Sequence, residues 1–137
     1  MQCTIIVEER GSGTIVNITS DSEREAHAGL TVYTGTKFFW AGASQSLRKE
    51  LQGSPLRLVN ILPGFVDTEG LQAMLTDEKQ VGVMKDFGMG EARVILDNKD
   101  KMLKPEDVAE TVWEVVNKPS NVYIQDVMIR DQLQTLL

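Results

Sequence analysis

The chain has 137 residues, 42% of them hydrophobic and 25% charged, which suits one globular domain with a buried core and leaves no room for a second. A formal net charge of −6 argues against a nucleic-acid backbone or an anionic membrane as the main partner, and leaves local binding of a phosphate open. Cys3 is the only cysteine, and no run reaches the roughly 20 apolar residues of a membrane span, so a reducing, cytosolic setting is expected.

Ile5, Ile6 and Val7 form an apolar patch that reads equally as a helix end or a strand. Gly11-Ser12-Gly13 then breaks the chain. Thr14 to Ile18 is β-branched or apolar except at Asn17, as in a strand covered on both faces of a parallel sheet. Asp21 to Ala28, with Asp21, Glu23, Arg24 and Glu25 alternating in charge, reads as a water-facing loop. It contains the only histidine, His27, with no cysteine or second histidine near it to build a metal site.

Thr31 to Leu51 is the clearest helix. Trp40, Ala43, Leu47 and Leu51 recur at helical spacing as its predicted packing face, with Phe38 and Phe39 beside them. Gly53-Ser54-Pro55 stops it, and Leu56 to Leu62 is a second strand. Strand, helix, strand in this order predicts a crossover and a parallel pair. Pro63-Gly64 marks the following turn.

Asp67 to Leu103 is a long variable stretch holding Met74, Met84, Met89 and Met102. Methionine adapts to varied shapes, so the stretch reads as a lid over a substrate, or more plainly as core. Lys104-Pro105-Glu106 predicts a helix start, with Ala109, Val112, Trp113 and Val116 as its apolar face. Asn117-Lys118-Pro119 ends it, and Val122 to Ile129 alternates as a third strand.

The chemistry concentrates at Tyr33-Thr34-Gly35-Thr36-Lys37, with Ser20 thirteen positions upstream of Tyr33. Tyr and Lys four apart share one helix face. An ammonium beside a phenol favours the phenolate, and a hydroxyl from the preceding strand end can hold a substrate oxygen against it. The set suits proton transfer to or from a carbonyl or alcohol oxygen. A hydrolase built on Ser20 has less behind it, because no histidine stands as an evident base and no G-x-S-x-G occurs.

Ser20 at a strand end, then Tyr33-x-x-x-Lys37, then Ile61-Leu-Pro63-Gly64-Phe-Val-Asp-Thr68, resembles the short-chain dehydrogenase/reductase superfamily from about Arg10 to Ile129. The tail, Pro105-Glu-Asp-Val-Ala-Glu and Asn121 to Arg130, is similar to the branch that oxidises small 3-hydroxy acids and serine with NADP. The resemblance implies a hydride transfer between NADP or NAD and a small alcohol/carbonyl substrate. Tyr33 would be the general acid/base, Lys37 would support it and bond the nicotinamide ribose, and Ser20 would orient the substrate oxygen. Pro63 and Gly64 would shape the nicotinamide pocket, with Val66 by its backbone and Thr68 by its hydroxyl reaching the carboxamide and pyrophosphate. As a simple helix cap, Thr68 has a rival reading.

Enzymes of this family open with a glycine-rich turn that receives the pyrophosphate, and neither G-x-x-x-G-x-G nor G-x-G-x-x-G precedes Ser20. Residues 1–137 therefore resemble one partial domain, the C-terminal half of such an enzyme, without the turn on which cofactor binding leans. The expected fold is α/β: three parallel strands and flanking helices of a doubly wound sheet, with the Thr14 strand exposing an edge. A homo-oligomer through the helix of Trp40 and Leu47 is implied, with neither nucleic acid nor membrane as partner. The alternative is an inactive half that serves as an interaction module.

Overall fold

A computed structural model describes residues 11–27, 29–77, 79, 81–82 and 98–131. The patch at Ile5 to Val7 and the predicted lid residues Met84 and Met89 lie outside them. Strand β1 (Gly13–Ile18), helix α1 (Thr31–Glu50), strand β2 (Leu56–Pro63), helix α2 (Glu69–Thr76), helix α3 (Pro105–Val116) and strand β3 (Asp126–Ile129) follow in chain order. Short 3-10 turns stand at Asp21–Glu23 and Lys99–Lys101. The strands form one parallel sheet in the order β1-β2-β3, as the sequence predicts. Asn17 is in register with Asn60, and Asn60 with Asp126.

The unbroken run Leu58-Val59-Asn60-Ile61-Leu62 makes β2 the centre of the sheet, and all five residues are buried. Side chains alternate across a strand, so burial of the whole run means that both faces are covered. Each fully buried Leu, Ile or Val contributes about 1.5–3 kcal/mol, which makes β2 the main apolar anchor. In β1 the side chains are half-buried, and Ile18 is 58% exposed. Among the described residues no strand pairs with the outer edge of β1.

Helix α1 departs from its predicted orientation. Trp40 is 47% exposed, and Leu47, Phe38 and Phe39 are exposed as well. The side that meets the sheet is Thr34, Lys37, Ala41, Ser44 and Arg48. Arg48 donates to the carbonyl oxygens of Leu58 and Gln125 and to Asp126 Oδ1, and Ser44 donates to Asn60. Hydrogen bonds, not apolar burial, seat this helix, and its aromatic side is left outward.

Helix α3 is rotated from the predicted face too. Val108 and Val115 are buried, with Val112 and Val116 half-buried on the predicted side, while Ala109 is exposed and Trp113 is 68% exposed. Pro105 opens the helix, and the Asp107 carboxylate accepts the Lys104 N–H at 2.6 Å. At its other end Arg57 donates to the carbonyls of Val116, Lys118, Pro119 and Val122, placing a cation on the negative end of the helix. Strand β3 is shorter than predicted: Val122 to Gln125 stays outside it. A turn from Pro119 O to Val122 N and the Tyr123 hydroxyl on the backbone of Leu58 hold that segment instead. Beyond β2, Met102 and Leu75 are buried with Phe65, Leu71 and Met74 against them, so these two methionines serve as core. No described helix is long and apolar enough to cross a membrane.

Candidate active site

The carboxyl ends of the three parallel strands carry the residues of interest: Ser20 after β1, Pro63 and Gly64 at the end of β2, and Arg130 after β3. Open parallel sheets present their ligand sites at this edge. Thr19 continues β1, its N–H bonding Ile61 O at 2.8 Å. Ser20 remains extended and caps the turn Asp21–Glu23, accepting the Ser22 N–H on its Oγ at 3.1 Å. The same hydroxyl donates to Asp21 Oδ1 at 3.3 Å. Ser20 is thus presented at the strand end, with its proton held by a weak bond inside its own loop.

Tyr33 lies in the first turn of α1 and is 43% exposed. Lys37, one turn on, sets its Nζ 5.2 Å from the centre of the Tyr33 ring and donates to Thr19 O at 3.1 Å. One of the three ammonium protons is so engaged, and the ammonium stands at the phenol from the side of β1. Ser20, Tyr33 and Lys37 are gathered at one end of the β1–α1 unit. Among the described residues no hydrogen bond joins Ser20 to Tyr33.

Pro63 is buried at the end of β2, and the Gly64 N–H bonds Ile129 O at 2.8 Å. Val66 forms a parallel bridge with Leu103, whose bonds run from Leu103 N to Phe65 O and from Asp67 N to Leu103 O. In that pattern the N–H and C=O of Val66 itself are not used and point the opposite way. Thr68 caps α2, accepting the Leu71 N–H at 3.2 Å, as the plainer of its two sequence readings holds. Its hydroxyl proton is not consumed by that cap. Val66 thus presents an adjacent backbone donor and acceptor, with the Thr68 hydroxyl two residues on.

The loop after Ser20 faces water only in part: Arg24, Glu25 and Ala26 are exposed as its alternating charges predict, and the first three residues are not. Asp21, Ser22 and Glu23 are buried, Glu23 to 2% exposure with neither carboxylate oxygen hydrogen-bonded. Arg130 bonds Asp21 at 3.0 Å and Glu25 at 2.8 Å, and Arg24 bonds Asp126 at 2.7 Å. The bond from Arg130 holds the Glu25 carboxyl below its ordinary value despite the opposing effect of burial, and Glu25 in turn holds the Arg130 guanidinium above its own. Residues on β3 and just beyond it therefore fasten the Ser20 loop. Sequence reasoning missed Arg130 and Asp126, since partners more than 100 positions away leave no local trace. His27 is half-buried, and no group of metal-ligating side chains occurs among the described residues.

Residues 2–79, more than half of the chain, match the short chain dehydrogenase family. The chain belongs to this family of NAD(P)-dependent oxidoreductases, and the parallel sheet and strand-end site agree with it. It is 35% identical over 120 residues to the glycine betaine reductase ATRR of Emericella nidulans, matching 88% of this chain and 9% of that protein. It is 35% identical over 116 residues to the NADP-dependent 3-hydroxy acid dehydrogenase YdfG of Escherichia coli, covering 85% and 43% of the two chains. The closed form of a serine dehydrogenase complexed with NADP+ superimposes with a TM-score of 0.68 at 29% identity, covering 95% of this chain and 49% of that one. The chain spans less than half the length of these relatives.

Proposed function

We propose that the protein is an oxidoreductase that moves a hydride between NAD(P) and an alcohol/carbonyl pair, with Tyr33 exchanging the proton at the substrate oxygen. The observation that carries this reading is the Lys37 ammonium beside the Tyr33 ring at the carboxyl end of β1. As the phenol gives up its proton, that cation faces the negative charge that develops, and it needs no rearrangement to do so. Ser20, turned from its 3.3 Å bond to Asp21, would donate to the substrate oxygen and orient it toward Tyr33.

The cofactor would supply or accept the hydride at its nicotinamide. Val66 would bond the carboxamide through its unused N–H and C=O. Thr68 would donate to the pyrophosphate, and Lys37 to the nicotinamide ribose. Pro63 and Gly64 would form the wall of that pocket. Relatives named as NADP-dependent 3-hydroxy acid and serine dehydrogenases support NADP and a small hydroxy acid as substrate. In this reading residues 1–137 are one partial dehydrogenase domain. A cytosolic setting goes with it.

The test is NADP+ reduction with small 3-hydroxy acids, followed by nicotinamide absorbance in the parent and in Tyr33→Phe. Loss of at least a hundredfold in kcat/KM is expected on removal of a general acid/base. An active parent matched by Tyr33→Phe sinks the assignment. A second reading draws on the outward aromatic side of α1 with Trp40 and Leu47: an interaction module that pairs with another copy of this helix. The two are separable, because a module with no catalytic role self-associates and leaves NADP+ unreduced.

A further inference from the structure

The stripe of α1 that meets the sheet, Thr34, Lys37, Ala41, Ser44 and Arg48, contains no large apolar side chain. Apolar stripes tolerate small slides, because one hydrocarbon contact replaces another. A hydrogen-bonded seam has one register, since any slide leaves buried donors and acceptors bare. The centre of this seam is a triad. Asn60 Oδ1 accepts from Ser44 Oγ at 3.0 Å and from Asn17 Nδ2 at 3.2 Å, and Asn17 Nδ2 stands 3.5 Å from Ser44 Oγ. Ser44 and Asn60 are both fully buried.

We infer that the Asn17–Ser44–Asn60 triad is a positioning device for Tyr33 and Lys37. Lys37 lies two helical turns before Ser44 on the same stripe, and Thr19 lies two residues after Asn17 on the same face of β1. Ser44 meets the Asn17 side chain and Lys37 meets the Thr19 backbone carbonyl, two successive contacts between one helix side and the last residues of one strand. Fixing the first contact fixes how far the first turn of α1 stands from the strand end. That distance sets where the Lys37 ammonium meets the Tyr33 ring and where both stand relative to Ser20. The three triad members touch neither substrate nor cofactor in this assignment. That Tyr33 and Lys37 need such holding rests on the function proposed above.

The test reads geometry and needs no turnover. The chain has two tyrosines, Tyr33 and Tyr123, so ring-labelled tyrosine gives two assignable sets of NMR signals in the whole protein. Ser44→Ala is expected to shift or broaden the Tyr33 signals and leave those of Tyr123 in place. Ser44→Thr, which keeps the hydroxyl, is expected to restore them. Tyr33 signals unchanged in folded Ser44→Ala, with only the melting temperature lowered, would overturn the inference and leave the triad a purely structural contact. Should Ser44→Ala fail to fold, Asn17→Ala, which spares the Ser44 to Asn60 bond, is read by the same criterion. An active protein indifferent to Tyr33→Phe refutes the catalytic reading without touching this measurement, so the two fail separately.

Discussion

The ammonium of Lys37 rests 3.1 Å from the carbonyl oxygen of Thr19, which ties the first turns of α1 to the residue directly ahead of Ser20. That bond joins a strand end to a helix start 18 positions on. Lys37→Met keeps the stem and removes the charge. It is expected to lower kcat/KM on 3-hydroxy acids by at least tenfold while destabilising the fold by about 1.5–3 kcal/mol, as for one hydrogen bond to a charged group. Lys37→Arg is not expected to restore activity, because a planar guanidinium cannot sit as a point charge beside the ring. Steady-state kinetics with urea unfolding checks both parts.

Asp126 receives two arginines, and they are expected to differ in worth. Arg48 and Arg24 each reach it at 2.7 Å, but the Arg48 side chain is 9% exposed and that of Arg24 45%. Arg48 also satisfies the carbonyls of Leu58 and Gln125. Arg48→Met is expected to cost about 1.5–3 kcal/mol, since it removes the bonds of a nearly buried guanidinium to Leu58 O, Gln125 O and Asp126. Arg24→Met, at an exposed pair, is expected to cost less than about 1 kcal/mol. Urea unfolding midpoints of the two variants separate these outcomes.

The Arg130 to Glu25 pair gives the acid limb of stability a definite sign. Its folded carboxyl titrates below its unfolded value, so the stabilisation is present above the ordinary glutamate range near ~4.3 and is lost as pH falls through the folded value. The raised Arg130 would lose its share only above the ordinary arginine range, beyond any working pH. Glu25 is well exposed, so Glu25→Gln is expected to cost no more than about 0.5 kcal/mol at neutral pH. It should also flatten the fall in stability below pH ~4. Thermal melts across that range test it.

The outward aromatic side of α1 gives a prediction about assembly. Phe38, Phe39, Trp40 and Leu47 are exposed on a helix whose polar side is already occupied by the sheet. Trp40→Glu with Leu47→Glu is expected to convert a dimer to a monomer in sedimentation, with little change in the unfolding midpoint of the monomer. A parent that sediments as a monomer speaks against the helix as an interface.

Much of the fold was legible because its signals are local. Gly53-Ser54-Pro55 and Pro63-Gly64 punctuate the chain where α1 and β2 end, and Lys104-Pro105 opens α3. Leu56 to Leu62, apolar except at Arg57 and Asn60 and bounded by Pro55 and Pro63, reads as a strand, whereas the coverage on both faces expected of β1 belongs to β2. Orientation was less legible. On α1 Trp40, Ala43, Leu47 and Leu51 share a helical period, and periodicity alone does not say whether such a face meets the sheet or another molecule. The sheet instead takes Ser44 and Arg48, which only the buried Asn60 and the half-buried Asp126 make favourable, and those partners come from other strands. At the site, Tyr33 and Lys37 could be paired from spacing because a helix turn brings them together. The Asp21 to Arg130 bond could not, since it closes only when β1 and β3 flank β2.

The central claim is that the ends of β1 and β2 build the nicotinamide side of a cofactor site. Its most direct test is titration of the 137-residue chain with NADPH, followed through Trp40 and Trp113, the two tryptophans. Saturable quenching that weakens at least tenfold in Lys37→Met is expected. A sample with a cooperative unfolding transition that shows no saturation, or that binds equally well in Lys37→Met, would contradict the assignment.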